Sequence, residues 1–107
     1  MPKELTLSVV IPAYNEEKII GKTLDTVISY LRGKNFNWEI IVADDGSSDR
    51  TSKIVGGYPV DQVRLVKLKI NRGKGGALKE GILNAKANFV IFMDADLSVP
   101  IENIDVF

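Results

Sequence analysis

Two aspartates end the apolar run of the stretch "NFVIFMDADLSVP", where Phe89 to Met93 gives way to Asp94 and Asp96 with Ala95 between them. On an extended backbone these carboxylates lie about 6–7 Å apart. Ionised together in a partly desolvated crevice they repel, so the arrangement calls for a cation. Two carboxylates with room for water and phosphate oxygens suit Mg2+ or Mn2+, hard ions that prefer oxygen ligands. The plainer reading is a helix-capping aspartate with a solvated neighbour. The apolar strand before the pair, and three further polar segments in comparable places, weigh against it.

Those segments each follow an apolar run. In "ADDGSSDRT", Asp44 and Asp45 have the chemistry to accept N–H groups of a base or hydroxyls of a ribose. Asp and Gly in a turn followed by a cap account for Gly46 to Asp49 but less well for the paired acids. "NRGKGGALKEG" brings three glycines and the basic Arg72 and Lys74 to a helix start, where backbone N–H groups and the dipole favour a phosphate. It is not a dinucleotide fingerprint, since position 78 is leucine, and Gly21-Lys22-Thr23 is not a Walker loop, since Glu16 stands where the first glycine is needed. In "IPAYNEE", Pro12 is expected to end its strand, Tyr14 offers an aromatic face for a base, and Asn15 and Glu16 are polar at a helix start.

Composition narrows the chemistry further. A chain of 107 residues, 45% hydrophobic and 26% charged, is one small globular domain or part of one. It has neither cysteine nor histidine, which excludes disulfides, thiolate nucleophiles, the usual zinc sites and histidine acid–base catalysis. Fourteen basic residues balance fourteen acidic ones, so no global field draws nucleic acid or an acidic membrane, and any anion site must be local. The lack of cysteine and of a long apolar run implies a cytoplasmic location without a membrane span or secretory signal.

The elements that must position these groups are legible from periodicity. Thr6 to Ile11, Trp38 to Ala43, Val63 to Lys69 and Asn88 to Met93 read as strands, the third half-exposed at a sheet edge and the fourth buried. Ile20, Leu24, Val27, Ile28 and Leu31 form one apolar stripe on a helix from Glu16 to Arg32, opened by Glu16 and Glu17. Ser47, Ser48 and Asp49 are capping candidates for a short second helix. A third, in "KGGALKEGILNAK", is expected to turn Ala77, Leu78, Ile82 and Ala85 inward, and Pro100 with Glu102 suggests a fourth. The resulting βαβαβαβ order argues for an α/β fold with a parallel sheet. All four polar segments then share the edge at the strand C-termini, where open α/β sheets bind ligands. The opposite connections, "GKNFN" and "GGYPVDQ", carry no such clusters.

Taken together, "SVVIPAYNEE", "EIIVADDGSSDRT", "NRGKGGALKEG" and "FVIFMDADLSVP" resemble the family 2 glycosyltransferases of the GT-A fold, in particular the polyprenyl (dolichyl) phosphate hexose synthases. The resemblance implies a Rossmann-like GT-A half-domain over residues 1–107, with helices on both faces of about four strands in the order 3-2-1-4. It implies that Pro12, Ala13, Tyr14 and Glu16 contact a nucleoside, Asp44 its base and Asp45 the surroundings. Asp94, Ala95 and Asp96 would be the metal-and-ribose D-x-D segment, Lys74 or Arg72 would assist the diphosphate, and Ser98 would be a third metal ligand. The glucosyl-type character of "GKGGALKEG" favours UDP-glucose over GDP-mannose, with a lipid phosphate or saccharide as acceptor and inversion at the sugar carbon. Relatives continue well past the D-x-D, so the chain reads as the donor-binding part of a longer enzyme, at the cytoplasmic face of a membrane in the full-length protein. Catalytic acceptor-side residues are expected beyond Phe107, and apolar surface left by the missing part would promote self-association. The rival readings are a non-catalytic nucleotide-binding module and a haloacid-dehalogenase-type phosphatase with Asp94 as nucleophile.

Overall fold

The structure, a computed structural model, describes residues 5–96. Four strands, β1 (Leu7–Ala13), β2 (Trp38–Asp44), β3 (Val63–Lys67) and β4 (Phe89–Phe92), alternate with helices α1 (Ile20–Arg32), α2 (Thr51–Gly56) and α3 (Gly73–Leu83). All pairings are parallel and the order is β3-β2-β1-β4, as expected for a GT-A half-domain. Ser98 and the helix anticipated at Pro100 lie outside the described residues.

Alternation along the central strands builds two faces. Leu7, Val9, Ile11, Ile40 and Val42 meet the predicted stripe of α1, joined by Val55 of α2, and these side chains are almost wholly removed from water. Each contributes about 1.5–3 kcal/mol relative to an exposed counterpart. The opposite face of β1 and β2 receives α3, so helices cover both faces. Here the sequence reading needs correction. Ala77 and Gly81 are the buried residues of α3, whereas Ile82 is 43% exposed and Ala85 lies beyond the helix. The helix sits so close that a Cβ at Gly81 would stand 2.4 Å from Val10 Cγ1. The seam of α3 is therefore made of its smallest residues, and larger ones are pushed outward.

Three further expectations shift. The first helix begins at Ile20 rather than Glu16, because Glu16 to Ile19 form a turn in which the Glu16 carbonyl accepts from Ile19 and Ile20. Pro12 does not end β1, which runs to Ala13. The Thr6 and Val10 carbonyls accept from Phe89 and Met93, so even-numbered residues of β1 bond toward β4. That ladder stops at Val10↔Phe92, so the missing N–H of Pro12 falls where no partner strand remains. Finally, β4 is not buried. Phe89 and Phe92 are half or more exposed, since β4 is an edge strand among the described residues and α3 rests on β1 and β2. β3, at the other edge, is half-buried as anticipated.

One buried polar network ties the sheet to the segment entering β4. Glu39, 4% exposed, accepts from Ser8 Oγ at 2.6 Å, Arg64 Nε and Nη2 at 3.0 and 2.9 Å, and the Lys86 amide at 2.8 Å. Ser8 Oγ in turn accepts from the Ala87 amide at 3.2 Å. Burial alone would raise the Glu39 pKa, but the bonds from Ser8, Lys86 and Arg64 outweigh it and hold the carboxyl below the ordinary glutamate range.

Candidate functional site

The strand C-termini deliver their loops to one rim, and side-chain bonds stitch those loops together. Asn15, in the left-handed region at φ 52°, is a residue type that tolerates that conformation. From there its Oδ1 accepts from the Ser48 and Asp49 amides at 2.9 and 3.3 Å, while its own N–H donates to Ser47 Oγ at 2.9 Å. Thr51 Oγ1 accepts from the Glu16 amide at 2.8 Å, and Asp49 accepts from Thr51 and from the Glu17 amide. Of the three capping candidates, Asp49 thus serves the start of α2. Partial desolvation would raise its pKa, but the bonds from Thr51 and Glu17 bring it below the ordinary range. The β3–α3 loop is bound in turn through the Arg72 amide, which donates to Asp45 Oδ1 at 2.7 Å. Gly46, at φ 75°, lets the backbones meet, since a Cβ there would stand 2.8 Å from the Asn71 nitrogen.

The cleft opens where the β1–β4 ladder stops. It measures about 480 Å3 and is lined by Pro12, Ala13, Tyr14, Glu16, Asp45, Lys74, Ala77, Asp94, Ala95 and Asp96. Nine of the ten candidate donor residues therefore converge on one cavity. Asp44 does not join them. It is 0% exposed, its Oδ1 accepts from the Ser47 amide at 3.0 Å, and its backbone carbonyl accepts from Leu68. The wall residue that sequence reasoning missed is Ala77. It follows Lys74 by three positions, one helical turn, and so shares its face, which is the signal that would have found it.

Charge in the cleft is lopsided. Four carboxylates, Glu16, Asp45, Asp94 and Asp96, face one ammonium, Lys74, which pairs with Asp94 Oδ1. Such a wall repels a diphosphate unless a cation accompanies it. Among the described residues no three acidic groups converge as a protein-made metal cage. The two carboxylates of the D-x-D would fit an ion that takes its remaining ligands from phosphates and water. Thr23, buried on α1, donates its hydroxyl to the Ala95 carbonyl and so holds the middle residue of that segment from below.

The chain is similar to known proteins in both sequence and fold. A dolichyl-phosphate beta-glucosyltransferase of Dictyostelium discoideum is 46% identical over 99 residues, which cover 84% of this chain and 30% of that protein. The chain thus spans about a third of the length of this relative. Staphylococcus aureus TarS (1–349) in complex with UDP superposes with a TM-score of 0.73 at 31% identity, over 86% of this chain and 28% of that one. Glucosyl-3-phosphoglycerate synthase from Mycobacterium tuberculosis, solved with Mn2+, UDP and glucosyl-3-phosphoglycerate, gives 0.67 at 32% identity, over 85% and 33%. Residues 8–106, which include all four loops of the rim, match "Glycosyl transferase family 2" as a whole, and the phosphatase reading of Asp94 falls away: the chain belongs to glycosyl transferase family 2.

Proposed function

We propose that this chain forms the donor side of a glucosyltransferase that takes UDP-glucose, with Mg2+ or Mn2+, and passes the sugar to a polyprenyl or dolichyl phosphate with inversion. The observation that carries the reading is the single cleft in which four strand-end loops bring four carboxylates and one ammonium together. The glucosyl and UDP names of the relatives support the choice of donor over GDP-mannose.

In this reading Asp94 and Asp96 hold the divalent ion, which when bound neutralises charge on the departing diphosphate. Tyr14, 48% exposed at the rim, stacks beside the base. Asp45 rather than Asp44 accepts from the base or the ribose, because only Asp45 borders the cleft. Lys74 leaves Asp94 for the diphosphate, and the positive end of α3, whose Gly73 amide rests on Asn71 Oδ1, favours the same anion. An acceptor phosphate is anionic at neutral pH, so its oxygen attacks the anomeric carbon as the bond to the diphosphate breaks, with little call for a strong base. Residues on the acceptor side belong to the rest of the protein.

Calorimetric titration with UDP, UDP-glucose and GDP-mannose, each with and without Mn2+, tests the proposal. Binding of uridine nucleotides only in the presence of the ion, lost in Asp96→Ala, is the expected result. A preference for GDP-mannose, or binding indifferent to the metal, contradicts it.

A further inference from the structure

The residues Gln62 to Lys79 hold six of the chain's 14 basic residues and none of its 14 acidic ones, although the whole chain is neutral. Arg64 is committed to Glu39 and Lys74 to Asp94. Lys67, Lys69 and Arg72 instead line a shallow groove beside the cleft, with Glu80 as its one carboxylate and Lys67 Nζ at 3.5 Å from Ser52 Oγ. At the tip of this loop Ile70 is 65% exposed between Lys69 and Asn71. That exposure is imposed by the backbone. Leu68 is buried with its amide on the Asp44 carbonyl at 2.8 Å, Arg72 is fixed by Asp45, and Asn71 lies against Gly46. The loop therefore presents an aliphatic side chain to solvent inside a basic collar, on the same rim as an acidic cleft.

We propose that the β3–α3 loop docks on an anionic lipid bilayer, with Lys67, Lys69 and Arg72 against the headgroup charge and Ile70 entering the interfacial layer. Basic groups beside an exposed apolar anchor are what such a surface binds, and complementary charge selects it over a neutral one. Docked in this way, the rim lies along the membrane with its cleft at the lipid boundary. The inference stands apart from the nucleotide reading, because vesicle binding is measured without nucleotide or metal.

Co-sedimentation of the chain with vesicles containing about 30% phosphatidylserine in phosphatidylcholine is the test. The expected result is binding at about 0.05 M salt that falls at about 0.3 M and is lost on pure phosphatidylcholine. Lys67→Gln with Lys69→Gln should weaken partitioning about twenty-five-fold, about five-fold for each charge removed. Ile70→Ser should weaken it about three-fold or more while leaving the salt dependence as it was. None of these side chains borders the cleft, so Mn2+-dependent nucleotide affinity and circular dichroism serve as controls that the variants are folded. No partitioning by the unaltered chain, equal partitioning onto the neutral vesicles, or variants that bind as well as the parent would each overturn the proposal.

Discussion

Asp44 and Asp45 are neighbours in the chain and both buried, yet they face different sides, and the difference follows from strand alternation at the end of β2. Asp44 turns into the protein and holds the Ser47 amide, whereas Asp45 reaches the cleft and holds the Arg72 amide. Asp45→Ala should therefore lower nucleotide affinity about ten-fold or more, for loss of a charged acceptor. Asp44→Ala should act mainly on stability, by about 1–3 kcal/mol, through an unsatisfied amide and a small cavity. Calorimetry and urea unfolding on the same pair of variants separate the two effects. Lys74 supplies a second residue-scale prediction with opposite signs. Its ammonium occupies Asp94 where a metal would bind, so Lys74→Met should tighten Mn2+ binding in the absence of nucleotide by up to about five-fold, the range of an exposed ion pair. The same change should weaken the nucleotide in the presence of Mn2+, which titration of free Mn2+ by electron paramagnetic resonance would register alongside calorimetry.

β4 carries the D-x-D, yet as an element it is weakly specified. Phe89 and Phe92 are largely exposed, so within the strand Ile91, packed against the core, is left to set its register against β1. Two polar contacts compensate, one at each end: the Glu39–Ser8 pair holds the Lys86 and Ala87 amides, and Thr23 holds the Ala95 carbonyl. Thr23→Val, which keeps the shape and loses the hydroxyl, should lower Mn2+–nucleotide affinity about five-fold or more, and Thr23→Ser should restore it. Equal affinity in the parent and both variants would show that Thr23 does not position the segment. Gly81→Ala should destabilise by about 1–3 kcal/mol because Val10 fills the space a methyl group would need. That glycine also marks where reading the sequence falls short. The strand runs, the stripe of α1 and the common rim were legible because period and order alone determine them. The inward face of α3 was not, since close packing through Ala77 and Gly81 inverts the rule that the larger apolar residue points in. The surroundings of Asp44 and Asp45 were hidden for a similar reason, as they depend on the residue at which β2 ends.

At the scale of the molecule, the titrating groups away from the cleft bound its stability. Glu39 has a folded pKa below its ordinary value, so its contribution is fully present above the ordinary glutamate range and is lost as pH falls through the lowered value. Tyr58 is pushed up to about 12 by burial and by its bond to Asp25, so its contribution is present below about 10 and is lost as pH rises toward 12. Urea midpoints followed across pH should show both limbs, with Glu39→Gln flattening the acid one and Tyr58→Phe the alkaline one. No helix among the described residues is long and apolar enough to cross a membrane, so contact of this part with lipid rests on its surface. The sheet, with four loops at one edge, is what makes a site from residues as far apart in sequence as Pro12 and Asp96. Paramagnetic broadening by Mn2+ in amide spectra of the chain, recorded with UDP present, tests that arrangement most directly. The account predicts loss of the signals of Ala13, Asp45, Lys74 and Asp94 to Asp96, while those of Lys34 and Gln62 at the opposite edge persist. Broadening centred on the opposite edge, or spectra unchanged by the ion and the nucleotide together, would contradict it.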